Sequence, residues 1–401
     1  MWCGSDGTCK AYGPSRHPRY SDLLARTCMD ATPPYRVLAL DGGGIRGLYT
    51  ATLLNRLAER LHRLRGRGSA AQLDIGAAFD LIVGTSTGAI LAASLAKGVP
   101  LPRVIDMYRT QAAAIFQSPM PLQRGRLRDR WKTWVWTLRQ LTSPANSAEP
   151  LRQALQDVLQ DVTLEQVYQQ RGIALCIPSI DAETHKAWIF KTPHAPRLTR
   201  DNEYKLVDAC MASAAAPIFF PLHAIASPAS GANIARLFVD GGLYANNPVL
   251  VALIEALEMA AAERPIHVLS VGTGNTSAAK VLSAAKDTHR GIWGWKGGGD
   301  IVTMSLESQA RATIYIAGQL VKAMNGRVTL HRLIDPPVSS DEAAYMTLDA
   351  ADAQSLSVLE TLGDRATDLN YSALTNQAPT AESSMVIDMF SSLKALVPED
   401  A

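Results

Sequence analysis

Three short segments of this chain carry the residue types that an acyl-transfer reaction needs. Asp41-Gly42-Gly43-Gly44-Ile45-Arg46-Gly47 offers a run of bare backbone N–H groups. Gly84-Thr85-Ser86-Thr87-Gly88 offers a serine hydroxyl between small neighbours, and Asp240-Gly241-Gly242 offers a carboxylate. A serine becomes a useful nucleophile when a base takes its proton. The oxyanion that its attack creates needs hydrogen-bond donors already in place. Together the segments contain the parts for ester hydrolysis.

Each segment also has a plainer reading. Gly42, Gly44 and Gly47 satisfy the G-x-G-x-x-G dinucleotide fingerprint. That fingerprint requires a second strand with an acidic end about twenty residues on. The chain there reads Arg60-Leu61-His62-Arg63-Leu64-Arg65-Gly66, which is basic and helical. A purely structural glycine turn is the other alternative. An oxyanion hole is favoured, because consecutive glycines let N–H groups face a developing negative charge beside a helix N-terminus.

G-x-S-x-G between a strand and a helix is the nucleophile elbow, in which Gly84 and Gly88 allow a tight turn and leave Ser86 exposed. Alone the pattern is common, and Ser86 could simply cap the following helix. The preceding apolar run Phe79-Asp80-Leu81-Ile82-Val83 and the glycine loop one unit upstream favour the elbow. Asp240 could be an ordinary turn residue of an Asp-Gly pair. Placed at the end of a strand, it would instead present its carboxylate at a sheet's C-terminal edge. A Ser-Asp-His esterase would need a downstream histidine, and His267, His289 and His331 are available without a distinctive motif.

The elements that must position these groups follow from periodicity. Residues 37–40 read as a buried strand. Leu53, Leu57, Leu61 and Leu64 recur at helical spacing with Arg56, Arg60 and Arg63 on other faces, and Gly66 to Gly68 stops that helix. Residues 79–83 form a second strand and residues 87–97 a small-residue helix. Strand, glycine turn and helix, twice in succession, predict an α/β sheet. Residues 173–180 and 187–191 read as paired strands, and 205–215 as a helix ended by Pro217. Residues 236–239 read as a strand leading into Asp240. Asn246-Asn247-Pro248 opens a further helix, with an Asn cap and Pro at its first position. Residues 266–271 form another strand before Gly272-Thr273-Gly274, and the last sixty residues are mostly helical in pattern.

Composition bounds the rest. The chain has 401 residues, 47% apolar and 19% charged, so it can bury a large core. A net charge of +2 gives no argument for a nucleic acid polymer as partner. Five cysteines at irregular spacing, none in a metal-binding pair, suit a reducing compartment and predict no metal or cofactor. No apolar signal region opens the chain, and no uncharged stretch reaches the roughly 18 residues that a membrane span requires. The expectation is a soluble cytoplasmic protein that visits a membrane surface. Arg124, Arg126, Arg128, Arg130 and Lys132 alternate with Trp131, Trp134 and Trp136. That stretch reads either as a lipid-docking face or as a solvated helix with tryptophans packed inward. Trp293 and Trp295 among glycines suggest a flap.

With its three motifs in this order, the chain resembles the patatin-like phospholipase family, lipid acyl hydrolases that use a Ser-Asp dyad. The match runs from about Tyr35 to Thr273. Supporting similarities are Ala212-Ser213-Ala214-Ala215-Ala216-Pro217 and Asn246-Asn247-Pro248. The resemblance implies a three-layer α/β/α sandwich with a mainly parallel central sheet. It implies Ser86 as nucleophile, Asp240 as base, and Gly42, Gly43, Gly44 and Arg46 as the oxyanion loop. It implies phospholipase A-type cleavage of membrane phospholipids, peripheral membrane contact and action at the inner face of the membrane. Some bacterial members are antiphage effectors switched on by cyclic nucleotides, so the resemblance extends to such an activator and leaves a homo-oligomer open. Secreted toxins and housekeeping lipases share the family, and no residue signature for nucleotide binding is present. A degenerate lipid-sensing module without catalysis is the competing class, against which an intact Ser86 and Asp240 speak. The implied division is an irregular extension over 1–34, a catalytic domain over 35–335 with an insertion at 118–150, and a helical region over 336–401 packed on the same domain.

Overall fold

The computed structural model describes residues 32–64, 72–121, 127–139, 142–226, 235–274, 288–289, 291, 294–295 and 298–396, without the side chains of 127–130 and 132–133. The expected extension over 1–34 therefore lies almost wholly outside the described residues. So do Gly66 to Gly68, Trp293, and the side chains of Arg124, Arg126, Arg128, Arg130 and Lys132.

The strands are β1 (Tyr35–Leu40), β2 (Leu81–Gly84), β3 (Ala174–Asp181), β4 (Lys186–Lys191), β5 (His223–Ala226), β6 (Ala235–Asp240), β7 (Ile266–Val271) and β8 (Val328–Arg332). They form one eight-stranded sheet in the order β5-β6-β3-β2-β1-β7-β8, with β4 paired to β3. The pairs β3–β2, β2–β1, β1–β7 and β7–β8 are parallel. The pairs β3–β4, β3–β6 and β5–β6 are antiparallel.

Successive strand residues face opposite sides, so β1 feeds two cores. Leu38 and Leu40 join one buried cluster, and Val37 and Ala39 join the other. The first cluster holds the helices Gly47–Arg63, Thr87–Lys97 and Ala353–Thr375; the second holds Val249–Met259. Helices thus cover both faces, which is why the parallel strands are continuous apolar runs rather than alternating ones. Among the described residues no helix is long and apolar enough to cross a membrane.

Several local expectations shift by a residue or more. The helix predicted from Leu53 to Leu64 begins at Gly47, directly after the glycine loop, and ends at Arg63. The second strand begins at Leu81, because residues 76–78 form a short 3₁₀ turn. Pro248 stands at the N-cap of the helix Val249–Met259 rather than at its first position. The cap is supplied by Asn247, whose Oδ1 accepts the Val249 N–H at 2.9 Å. Strands β5 and β8 have no counterpart in the periodicity reading.

Sheet register positions the site. β1, β2 and β7 end together at Leu40, Gly84 and Val271, so the glycine loop and the elbow leave from one edge. β3 is longer: Val83 pairs with Cys176, and β3 continues to Asp181. β6 returns antiparallel along that overhang and places Asp240 opposite Ser179. Asp240 does reach the C-terminal edge of the parallel strands, but on a strand running the other way.

Candidate functional site

Ser86 sits at φ 55° and ψ −121°, at the junction of β2 and the helix Thr87–Lys97. A side-chain-bearing residue in that region carries strain, which surrounding structure must hold. The holding is close contact. A Cβ on Gly84 would lie 2.1 Å from the Gly88 carbonyl oxygen, and one on Gly88 would lie 2.3 Å from that of Leu40. The Ser86 N–H donates to Ser213 Oγ at 2.8 Å, and Ser213 Oγ donates to the Pro178 carbonyl at 2.6 Å. Ser213, which the sequence reading placed in a supporting motif, thus ties the elbow to β3.

The Ser86 hydroxyl donates to Asp240 Oδ2 at 2.8 Å, while Asp240 Oδ1 accepts the Gly242 N–H at 2.6 Å. Asp240 is 4% exposed. Burial pushes its carboxyl up to about 6, against the opposing hydrogen bonds from Gly242 and Ser86. At neutral pH it is ionised and only weakly held in that form, a suitable setting for a base.

The glycine loop lies across from the hydroxyl. The Gly42 N–H donates to the Asn246 carbonyl at 2.9 Å, and that of Ile45 donates to the Leu348 carbonyl at 2.9 Å. Between them, the N–H groups of Gly43 and Gly44 find no acceptor among the described residues. Both glycines line the same cavity as Ser86 and Asp240. Gly44 needs its left-handed φ of +59°, and a Cβ there would meet the Leu348 oxygen at 2.0 Å. Arg46 does not reach the cavity. It is 3% exposed, its Nε donates to the Gly43 carbonyl at 3.3 Å, and its Nη1 pairs with Glu307 at 3.4 Å.

The cavity measures about 620 Å³ including its open mouth, and Ile90, Ile115, Phe116, Leu151, Phe219 and Leu306 give it an apolar lining. An apolar cleft with a few convergent polar groups is the form of a small-molecule site. Among the described residues no histidine lines it. His267 pairs with Arg36 near the opposite end of β1, and His331 lies on the edge strand β8. Burial pushes both imidazoles down, toward the neutral form. His289 is exposed and has no place in the cavity lining.

The basic stretch divides. Residues 127–139 are helical; Trp131 and Trp134 stack on each other at 5.0 Å and are 63% and 42% exposed. Trp136 is buried, donates from its indole N–H to the Ser118 carbonyl at 3.0 Å, and packs on Phe219 of the cavity wall. The tryptophans are therefore neither all docked outward nor all packed inward.

Sequence reasoning missed the braces from the C-terminal third, Glu307, Arg332 and Leu348. Arg332 donates to both Asp41 oxygens at 2.8 and 2.6 Å. Cys176, His194 and Glu255 form a buried cluster elsewhere, closed by the His194–Glu255 and Lys191–Glu255 contacts.

The sequence profile of the patatin-like phospholipase family matches residues 38–253. A cGAMP-activated phospholipase of Vibrio cholerae is 31% identical over 338 residues, covering 82% of this chain and 89% of that protein. One of Pseudomonas aeruginosa is 35% identical over 283 residues, covering 70% and 74%. One of Escherichia coli is 28% identical over 348 residues, covering 84% and 90%.

Proposed function

The chain belongs to the patatin-like phospholipase family and is a hydrolase, and from that premise we propose that it cleaves acyl esters of membrane phospholipids through Ser86 and Asp240. The observation that carries the reading is the 2.8 Å hydrogen bond from Ser86 Oγ to Asp240 Oδ2 at an apolar cavity.

In the proposed cycle Ser86 Oγ attacks the ester carbonyl carbon as Asp240 Oδ2 takes its proton. The carbonyl oxygen becomes an oxyanion held by the N–H groups of Gly43 and Gly44. Gly42 is assigned a supporting part, since its own N–H is used by Asn246. Arg46 steadies the loop from behind. The tetrahedral species collapses, the bond to the glycerol oxygen breaks, and Asp240 returns the proton to that oxygen. Water then attacks the acyl-Ser86 ester, giving its proton to Asp240; the bond from the acyl carbon to Ser86 Oγ breaks, Asp240 returns the proton to that oxygen, and the fatty acid leaves. The apolar lining accommodates the acyl chain.

The relatives named as cGAMP-activated support a further part of the proposal, activation by a cyclic nucleotide in antiphage defence. Exposed Trp131, Trp134, Val135 and Leu138 on one helix support peripheral contact with a bilayer, at the cytoplasmic face of the inner membrane.

The test is fatty-acid release from mixed phospholipid vesicles by the wild type and Ser86→Ala, with and without a panel of cyclic nucleotides. Release by the wild type alone supports the serine mechanism. Equal release by both proteins overturns it, and release indifferent to every nucleotide overturns the activation.

A further inference from the structure

We infer that Arg332, which lies outside the segment matched by the family, is a positioning residue of the oxyanion loop. This rests on the assignment of the oxyanion to Gly43 and Gly44. Asp41 is the residue immediately before that loop and is 3% exposed. Its carboxylate receives Nη1 of Arg332 at 2.8 Å on one oxygen and Nη2 at 2.6 Å on the other. Such a forked pair fixes direction as well as distance. Nη1 also donates to Ser270 Oγ at 2.8 Å.

The route of this side chain is unusual. Arg332 closes the edge strand β8, and β7 stands between β8 and β1. To reach Asp41 the guanidinium crosses the end of β7, and the sequence clears the way at Gly272. A Cβ on Gly272 would lie 2.4 Å from Arg332 Nη2. A side chain at position 272 would therefore have to push the guanidinium aside.

The two working N–H groups, of Gly43 and Gly44, sit in a span that is also tethered on its carbonyl side: Thr273 Oγ1 donates to the Gly42 carbonyl at 3.3 Å, Arg46 Nε to the Gly43 carbonyl at 3.3 Å and Thr87 Oγ1 to the Gly44 carbonyl at 2.6 Å. The Gly42 and Ile45 N–H groups on either side are tethered to Asn246 and Leu348. Arg332 fixes the entry to this tethered span, so releasing Asp41 lets Gly43 and Gly44 drift from the reacting oxygen. Donors that must be aligned before the reaction lose their value with small displacements. The substrate's acyl chain is held by the cavity walls and is unaffected.

Kinetics and amide hydrogen exchange on Arg332→Ala and Arg332→Lys test this, with Ser86→Ala as reference. For Arg332→Ala on a soluble ester, kcat should fall by about 100-fold, as for a lost oxyanion donor, with KM little changed. Exchange at the Gly42 and Ile45 N–H groups should accelerate. Guanidinium ion at low millimolar concentration should restore part of the lost kcat and leave Ser86→Ala inactive. Arg332→Lys, with a charge but no fork, should fall between. A folded Arg332→Ala with wild-type kcat overturns the inference. So does a rise in KM alone, or a loss of kcat with neither faster exchange nor rescue. If Arg332→Ala does not fold, wild-type kcat and exchange in Arg332→Lys overturn it. Should Ser86→Ala keep its turnover, the serine mechanism fails instead, and the exchange measurement still decides whether Arg332 holds the loop.

Discussion

Ser86 and Asp240 are separated by 154 positions in the chain, yet Ser86 Oγ lies 2.8 Å from Asp240 Oδ2. Sheet register brings them together: β3 overshoots β2, and β6 returns along the overhang to set Asp240 opposite Ser179. The partnership thus depends on strand lengths as much as on the two residues.

The carboxyl of Asp240 predicts a pH dependence. Burial pushes it from 3.8 up to about 6. Its basic form is therefore present above that value, and kcat/KM on a soluble ester should fall as pH drops through about 6. The same shift acts on stability with the opposite preference. A raised folded value favours the protonated protein, a contribution complete below about 4 and lost as pH rises through about 6. A shift of about two units costs about 3 kcal/mol at neutral pH. Asp240→Asn should thus abolish turnover while raising the neutral-pH melting temperature, and a pH–rate profile with calorimetry checks both.

Replacing Ser86 separates chemistry from strain. Ser86→Ala and Ser86→Gly both remove the hydroxyl and should both be inactive. They differ in how readily they accept φ 55°. Glycine enters that region without a Cβ clash. Ser86→Gly should therefore be the more stable of the two by about 1 kcal/mol. Denaturant titration of the pair measures this; equal stability would show that the elbow is unstrained.

Gly43→Ala should act on kcat. The new Cβ would lie 2.6 Å from Thr273 Oγ1 and 2.8 Å from its Cγ2. The loop must move away, and a displaced donor costs on the order of 100-fold in rate. Thr273→Gly removes both atoms together with the Thr273 Cβ, itself 2.8 Å away, so the double variant should recover part of the lost rate. Steady-state kinetics of the cycle decide it, and simple additivity would mean that the contact is not the cause.

The tryptophans should separate by exposure. Trp131→Ser with Trp134→Ser should lower hydrolysis of anionic vesicles and spare a soluble ester, since both rings are exposed. Trp136→Ser removes a buried ring beside Phe219 and should cost about 3 kcal/mol of stability, lowering both activities. Parallel assays on the two substrates, with melting curves, distinguish these outcomes.

Much of the site was legible locally because its parts are backbone devices. A strained elbow and a close-packed loop demand glycine at particular positions, so Gly42 to Gly44, Gly84 and Gly88 announce themselves in sequence. The strands β1, β2 and β7 were legible for a related reason: burial on both faces leaves continuous apolar runs. The α/β class, the tight turn at Ser86 and the glycine loop facing it were thus readable from the chain alone. Tertiary structure decided which of these groups meet. Register along β3 chose Asp240 as the partner of Ser86 and left His267 and His331 away from the cavity. Packing divided the tryptophan helix, burying Trp136 and exposing Trp131 and Trp134. The braces from Glu307, Arg332 and Leu348 reach the glycine loop across long sequence separations. Contacts of that kind impose no short-range pattern, because each needs only one correctly placed donor or acceptor, and the fold alone supplies its position.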